Sequence, residues 1–249
     1  MQNIIHQTAT ETLDINRICP FISEPAERLF LRHYQVGDTG RGRVKQMIHE
    51  LFAAAYEADL TYYCDDLIGL ETGSELLGAA GLRPGNDSSL LFSEQYLDVP
   101  IDQLISSHTG QTVDRSRIIE IGNLAVHGTG QTRWLFAVLN AFLHAAGYSW
   151  VVCTAISPLI SIFKRVGLNP VVLGDADPAR LSGEAESWGR YYDLKPKVCF
   201  GSIESGYQSM SAAITTKQPR LQALWRDAHA AGQEYASLYC GCTTAVKSK

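Results

Sequence analysis

The acidic residue Glu120 stands out because it interrupts the apolar segment RIIEIGNLAV, between Ile119 and Ile121. A carboxylic acid in apolar surroundings holds its proton more strongly than in water. Such a carboxylate could act as a general base near neutral pH, taking a proton from an amine that attacks a carbonyl group. The alternative is a carboxylate that faces solvent, since a strand turns every second side chain outward.

A candidate anion site follows directly, in the turn HGTGQ. Gly128 and Gly130 leave room for close backbone approach, and an amphipathic segment begins immediately afterwards. A helix N-terminus presents free N–H groups and the positive end of its dipole, so this turn could hold a phosphate, although an ordinary tight turn is the alternative. It fits neither the P-loop nor the GxGxxG spacing. The residues expected at the phosphate are Gly128, Thr129, Gly130, Gln131, Thr132 and Arg133.

The segment between these two features could supply further contacts. We expect the backbone of Leu124, Ala125 and Val126 to hold the arm of a donor molecule or the oxyanion that develops on a carbonyl under attack. Asn123, three residues after Glu120, could open the strand or bind substrate as part of the catalytic group.

Three polar residues elsewhere could bind substrate. Arg83 ends the segment GAAGLR and could meet a carboxylate, although a surface position would explain it equally well. Glu94 and Tyr96 lie in FSEQYLD and could line a pocket for an acyl chain or an amine. Simple packing of Tyr96 is the alternative for that segment.

Hydrophobic periodicity predicts the elements that position these residues. After residue 117 the order strand, helix, strand, helix, strand favours an α/β fold whose sheet contains parallel neighbours. Thr72-Gly73-Ser74 predicts a hairpin turn between two earlier strands, and Ser157 is expected to cap a short helix. The predicted strands are 66–71, 75–83, 117–126, 149–156 and 168–173, and the predicted helices lie within 40–60, 100–107, 132–147, 157–166 and 221–236.

Composition limits the possible classes of protein. The chain has 249 residues, of which 45% are apolar and 19% charged, so it can bury a core of its own. Lys and Arg total 21 against 26 Asp and Glu, which gives a net charge of -5. This balance argues against a nucleic-acid partner, which would require a basic face.

Cysteine usage and the first residues predict a compartment. The six cysteines form no CxxC pair, and the Cys240-Gly241-Cys242 pair lacks histidine neighbours, so we expect no metal site. Scattered thiols fit a reducing environment. MQNIIHQTATETLD has no basic patch followed by an apolar stretch, so we predict no signal peptide and a cytoplasmic location.

One apolar stretch is long enough to cross a bilayer. No residue from Trp134 to Phe163 carries a formal charge, and a span needs about 20 apolar residues. Polar residues interrupt the stretch, and Gly147-Tyr148-Ser149 divides it into a helical and a strand-like half. We therefore predict a buried helix-turn-strand unit and no stable membrane insertion.

The glycine turn and the later segment from Phe163 to Gly167 resemble the GNAT acyltransferases. In that family the loop after the central strand holds the pyrophosphate of coenzyme A, and a later helix ends in an aromatic-x-x-x-Gly pattern. The resemblance implies that Phe163 contacts the coenzyme. Two positions depart from the pattern. Ala125 stands where the family has Gln or Arg, and Phe163 replaces a tyrosine that protonates the leaving thiolate.

A closer resemblance is carried by LLFSEQYLDVPI, RIIEIGNLAV, the GxxRxLF stretch from Gly130 to Phe136, WVVCTA, FKRVGLNPV and WGRYYDLKPKV. These segments occur in this order in the thermostable hemolysin family, which resembles a divergent GNAT branch near the acyl-homoserine-lactone and N-acyl amino acid synthases. The resemblance implies a GNAT-like mixed sheet over 28–203, with an N-terminal arm over 1–27 and a C-terminal helical extension over 204–249. It also points to Glu120, since the lactone synthases carry an acidic residue on the comparable strand.

The implied activity is transfer of an acyl group from a coenzyme A or acyl carrier protein thioester to the amine of a small molecule, in specialised metabolism or signal synthesis. A carrier protein is acidic, and Arg41, Arg43 and Lys45 are the nearest candidates for a basic patch that would meet it. Two other functions stay open. One is a membrane-lytic protein, as the family name suggests, and the other is a protein that binds acyl thioesters without catalysis.

Overall fold

The computed structural model describes residues 25–86, 89–181, 183, 185–214 and 218–239. Its centre is a seven-stranded mixed sheet with helices on both faces, which confirms the predicted α/β class. The strands are β1 (Phe30–Tyr34), β2 (Asp66–Glu71), β3 (Leu76–Pro84), β4 (Ile118–Val126), β5 (Trp150–Ala155), β6 (Val171–Asp175) and β7 (Lys197–Ser202). The helices are α1 (Arg41–Tyr56), α2 (Ile101–Thr109), α3 (Thr129–Ala145), α4 (Ser157–Arg165), α5 (Ile203–Ala213) and α6 (Pro219–Tyr239).

The strands lie in the order β1-β2-β3-β4-β5-β7-β6. Strands β2 and β3 form the predicted hairpin, and β4 and β5 form the expected parallel pair. Strand β6 is not a neighbour of β5, because β7 lies between them and is antiparallel to both. The reason is that β7 pairs with β5 along its whole length, while the exposed Val171 and Val172 suit β6 to the sheet edge.

The sheet opens between β4 and β5. These strands pair only from Ile118 with Trp150 to Ile121 with Cys153. On its other side β4 stays paired with β3 as far as Val126, with a bulge that places one extra residue on β4. Asn123 sits at this bulge with φ 47°, a left-handed conformation that Asn tolerates better than most residues. A bulge bends its strand, so β4 curves away from β5.

Helices α3 and α6 cover the main core. The uncharged stretch forms α3, β5 and α4, and α3 buries Leu135, Leu139 and Phe142 in that core. Gly232 of α6 lies so close to α3 that a Cβ atom there would clash with the carbonyl oxygen of Phe142. In the part of the chain described here, no helix is both long and apolar enough to cross a membrane.

A few local predictions differ from the structure or fall outside it. Ser157 is the first helical residue of α4 and Ile156 is the N-cap, because the extended backbone that must precede the helix lies at Ile156. Residues 92–96, whose type the sequence left open, form a short 3-10 helix. Most of the predicted N-terminal arm, and residues 240–249 with Cys240 and Cys242, lie outside the described residues.

Candidate active site

A cleft of about 1110 Å³ opens where β4 and β5 separate. Residues 121–126 of β4 line one wall, and α1 and α4 line the others. Within the described sheet, residues 122–126 have no strand partner on the β5 side. Backbone N–H and C=O groups along that edge are therefore free to bind a ligand. These positions include Leu124, Ala125 and Val126, the residues whose backbone groups we expect to hold the donor arm or the oxyanion.

Glu120 and Arg83 form an ion pair at the end of this cleft. Strands β3 and β4 place the two residues directly opposite each other, and Arg83 Nη1 donates to Glu120 Oε2 at 3.2 Å. Glu120 is 4% exposed. Its Oε2 also accepts from the backbone N–H of Phe92 and its Oε1 from that of Ser93, each at 2.7 Å. The prediction that Glu120 lies in apolar surroundings is therefore wrong. Its carboxylate caps the short 3-10 helix at residues 92–96 and pairs with Arg83.

The hydrogen bonds of Glu120 leave one position open. A carboxylate offers about four acceptor positions, two on each oxygen. Oε2 uses both of its positions, for Phe92 and Arg83, while Oε1 uses one, for Ser93. Among the described residues no fourth donor reaches this carboxylate. Because Glu120 lines the cleft, Oε1 can accept one proton or hydrogen bond from a ligand.

Aromatic side chains surround the Arg83–Glu120 pair. The rings of Tyr62 and Phe92 stack at 6.1 Å, and Arg83 lies 4.9 Å from the centre of the Tyr62 ring. Trp188 contacts Phe92 at 5.7 Å. Tyr62 and Phe92 were not among the predicted site residues, and Trp188 was expected to pack and to line part of a pocket. The signal that could have found Tyr62 is the aromatic density of TYY, which converges here with that of WGRYY. No local pattern indicates Phe92.

Tyr96 lines the cleft within this aromatic wall and is also packed, so that it combines the two alternatives given for it. Its hydroxyl lies 2.5 Å from that of Tyr192. Burial, and then the hydrogen bond with Tyr192, raise the pKa of Tyr96. The cleft also contains Cys64, whose thiol pKa is raised by burial to about 12. Both groups therefore stay protonated at neutral pH, and Cys64 is not poised as a nucleophile.

Glu94 does not line the cleft, which contradicts its predicted contact with substrate. Its carboxylate accepts from the backbone N–H of Leu91 at 2.7 Å and of Ile101 at 2.9 Å, and both terminal nitrogens of Arg115 donate to it. Burial alone would raise the pKa of Glu94, but these hydrogen bonds outweigh burial and lower it. The residue ties the 3-10 helix to the start of α2.

Asn123 lies at the bulge that opens β4, which is one of the two alternatives given for it, and its side chain is engaged by backbone groups. Its amide oxygen accepts from the backbone N–H of Cys64 at 2.9 Å, and its amide nitrogen donates to the carbonyl oxygen of Tyr62 at 3.2 Å. The side chain is 5% exposed. Asn123 thus anchors the segment that carries Tyr62 to the bulge of β4, and its amide is engaged by backbone rather than directed at a substrate.

The predicted anion site is open on one side. Gly128 and Thr132 line the cleft, and the first backbone hydrogen bond of α3 runs from Thr132 N to Gly128 O at 3.1 Å. The N–H groups of residues 129–131 precede that bond and have no acceptor within the helix. Gly128 is extended, with φ -168°, so its lack of a side chain provides space and not a special conformation. Arg133 does not line the cleft.

Phe163 does not line the main cleft, although the resemblance implied that it contacts the coenzyme. Its ring is 4.9 Å from Phe136, and it lines a separate, mostly apolar cavity of about 120 Å³ between α3, α4, β5 and α5. Pro158, Leu159 and Ile162 are the α4 residues that line the main cleft. Phe163 is therefore part of the second cavity.

The basic residues at the start of α1 are engaged within the chain. Arg41 donates to the carbonyl oxygens of Asp65 at 2.6 Å and Cys64 at 2.7 Å. Arg43 pairs with Glu71 at 2.8 Å, and Lys45 lies over the ring of Tyr63. Arg41 therefore holds residues 64–65 in place beside the cleft through these hydrogen bonds. This structural role requires no partner protein.

Comparison with known proteins supports the predicted fold. The model of the thermostable hemolysin family matches residues 34–207. No curated protein matches the chain. The structure of the acyl-homoserine lactone (AHL) synthase LasI is similar with a TM-score of 0.51 and 9% identity, covering 77% of this chain and 99% of that chain. The coenzyme A-dependent synthase BjaI, solved with MTA, has a TM-score of 0.50 and 15% identity, covering 83% and 99%. At such identities the likeness concerns the fold, and it confirms the GNAT-like sheet.

Proposed function

This chain belongs to the thermostable hemolysin family, and from that premise and its cleft we propose that it is an N-acyltransferase. It moves an acyl group from a coenzyme A or acyl carrier protein thioester to the amine of a small molecule. The observation that carries the proposal is the juxtaposition of a free strand edge with a carboxylate that has one acceptor position open. The strand edge serves the donor, and the carboxylate serves the amine.

The donor lies along β4. Its amide-containing arm forms hydrogen bonds with the free backbone edge of residues 122–126, and its phosphate groups meet the N–H groups at the start of α3. Gly128 adds no side chain at this point, and the nearest group is the flexible end of Gln131, which can move to give the phosphates room. Ile121, Leu124 and Leu159 form the boundary between the main cleft and the second cavity, and the apolar acyl chain of the donor packs against their side chains.

The amine reacts beside Glu120. Its nitrogen attacks the thioester carbonyl carbon, and a backbone N–H of the β4 edge holds the oxyanion. The amide C–N bond forms, the C–S bond breaks, the amine proton passes to Oε1 of Glu120, and the thiolate leaves. Arg83 holds the Glu120 carboxylate in place through their ion pair and can bind a carboxylate on the acceptor, which favours amino-acid-like amines.

The cysteines support the cytoplasm as the compartment of this reaction. Cys153 and Cys199 lie directly opposite each other on β5 and β7, yet both are free thiols. Neighbouring unbonded cysteines are typical of a reducing environment.

The test is an amine-dependent assay of thiol release, with mass spectrometry of the products. The panel combines acyl-coenzyme A and acyl carrier protein thioesters with amino acids and other amines. Thiol release that requires the amine, with a new amide mass, is the expected result and also identifies the donor. Absence of release from every donor, together with no binding of coenzyme A by calorimetry, would overturn the proposal.

One variant tests the donor assignment within the same assay. Gly128→Val fills the space before α3 without backbone strain, because φ is extended and only the flexible end of Gln131 lies near the new Cβ. We expect about tenfold weaker binding of the donor. Gly73→Val, in the open hairpin turn, is the matched control. Equal donor affinity in the two variants would remove the α3 terminus from the donor site.

A further inference from the structure

Three apolar residues separate the main cleft from the second cavity. Ile121 and Leu124 of β4 and Leu159 of α4 line both spaces, and each is partly buried against the main core. Among the described residues no other borders both spaces. We refer to these three residues as the apolar wall.

The apolar wall closes the place where β4 and β5 separate. Ile121 is the last residue of β4 that pairs with β5, and Leu124 lies beyond that pairing. Helix α4 follows β5 directly and brings Leu159 to the same opening. Because β4 and β5 do not pair past Ile121 in the described sheet, side chains divide the two spaces here. Shortening one of these side chains therefore opens the division without breaking the sheet.

The apolar wall lies next to the reacting atoms of the proposed mechanism. Ile121 directly follows Glu120, which takes the amine proton. The donor arm occupies the free edge at residues 122–126, and a carboxylate of the acceptor occupies the side of Arg83. On the α4 side of Glu120 the acyl chain then packs against the apolar wall.

The space behind the apolar wall is small and mostly apolar. The second cavity has a volume of about 120 Å³ and is bordered by Leu139 of α3 and Cys153 of β5. It holds about four water-sized groups, at about 30 Å³ each, and a methylene group is of similar size. The cavity thus offers room for a few more methylene groups, and the apolar wall keeps them out.

We propose that the apolar wall sets the greatest length of acyl chain that this protein accepts. The inference rests on the proposed function, since it assigns a length limit to the donor which that same site uses. Each methylene group that leaves water strengthens binding by about fourfold. A chain gains this amount for every carbon up to the apolar wall and nothing for the carbons that follow, because they find no apolar space.

Binding of a series of saturated thioesters, from butanoyl to tetradecanoyl, tests the limit independently of turnover. The chains are presented on coenzyme A and on acyl carrier protein, and calorimetry measures their affinities below the concentrations at which they form micelles. In the wild type we expect the affinity to rise by about fourfold per carbon and then to level off at a break point.

Leu159→Ala should move that break point to longer chains. We expect the rise to continue for about two to four more carbons, so that the longest chains bind at least about tenfold more tightly than they bind the wild type. Alanine favours a helix and Leu159 is only partly buried, so α4 should still form. Leu159→Val, a milder change of the same side chain, should move the break point in the same direction by about one carbon.

Two further variants are controls. Ile162→Ala shortens another partly buried side chain of α4, which lines the main cleft but not the second cavity, and it should keep the wild-type break point. Cys153→Leu fills part of the second cavity. Alone it should leave the break point unchanged, because the chain does not enter there, and in combination it should cancel the gain of Leu159→Ala.

The outcomes separate this inference from the proposed function. An unchanged break point in both Leu159 variants, a wild-type break point that Cys153→Leu lowers, or an affinity that rises up to the longest chain in the wild type overturns the length limit alone. A break point that moves as expected, without turnover of any donor, supports the apolar wall and overturns catalysis. Failure of every thioester to bind overturns both.

Discussion

Two buried glutamates, Glu94 and Glu120, have nearly the same local chemistry and very different positions. Each accepts two backbone N–H groups and an arginine. Glu94 takes both terminal nitrogens of Arg115, whereas Glu120 takes one nitrogen of Arg83. Glu94 therefore uses all four of its acceptor positions and faces the interior, while Glu120 uses three and lines the cleft.

The difference shows that burial and an ion pair do not by themselves identify a functional carboxylate. A fully bonded carboxylate fixes the geometry of its neighbours and has no position left for a substrate proton. A carboxylate with one free acceptor position, such as Glu120 in the cleft, is held as firmly by its other hydrogen bonds and can still take a proton from a substrate. Counting acceptor positions separates these two roles where burial, at 7% and 4% exposure, does not.

The largest expected effect is a loss of turnover in the Glu120→Gln variant. The amide cannot take the amine proton, so we expect kcat to fall by about 10²- to 10³-fold, within the range typical of general bases. Donor affinity should change by less than about threefold, because the β4 edge and the α3 terminus are untouched. Steady-state rates and calorimetry measure the two quantities.

Glu75→Gln is the control for this variant, since Glu75 is exposed in the hairpin turn. It should retain wild-type turnover. Wild-type kcat in Glu120→Gln at saturating substrates would remove Glu120 from the mechanism and make it a second structural glutamate like Glu94.

The second-largest expected effect is a loss of stability in the Glu94→Gln variant. The change leaves the half-buried Arg115 without its main charge partner, which costs about 2 kcal/mol of unfolding free energy, between the values typical of exposed and of buried ion pairs, and Asp102 at 3.2 Å limits the loss. Glu120→Gln should cost about half as much because Arg83 is paired by one nitrogen only. Urea unfolding of both variants measures this. Equal losses of unfolding free energy in the two variants would mean that the two ion pairs contribute equally to stability.

The smallest effect is on the pH dependence of that stability. The pKa of Glu94 is lower in the folded protein than its ordinary value, so its contribution is complete above about pH 5 and disappears as pH falls below about 4. The difference in unfolding free energy between wild type and Glu94→Gln should narrow across this range. Urea titrations at several pH values measure it, and a constant difference down to acid pH would contradict the assigned ion pair.

Much of the framework was predictable because local patterns fix it. The hairpin, β4, α3 and β5 were found from periodicity and turn residues that lie within each element. The position of β6 was not, because it depends on β7, a strand that follows later in the chain and competes for the same neighbour.

The site was only partly predictable because its contacts join distant segments. Glu120 was found from its apolar neighbours, but its partners at Phe92 and Ser93 come from a helix whose position the sequence did not indicate. Glu94 was misassigned because its capping arrangement has Leu91 at the N-cap, without the Ser or Thr that usually reveals such a motif. The hydrogen bonds by which Asn123 anchors the Tyr62 segment join residues about 60 positions apart in the chain, so no local pattern predicts them.

The opening between β4 and β5 also bears on aggregation. An unpaired strand edge normally invites pairing with another chain, and here such an edge lies in the middle of a sheet. Helices α1 and α4 flank that edge along the cleft, so an approaching strand would have to enter between two helices before it could pair with the free backbone groups. The same walls that shape a binding cleft thus let the protein keep an open edge without exposing it to its own copies.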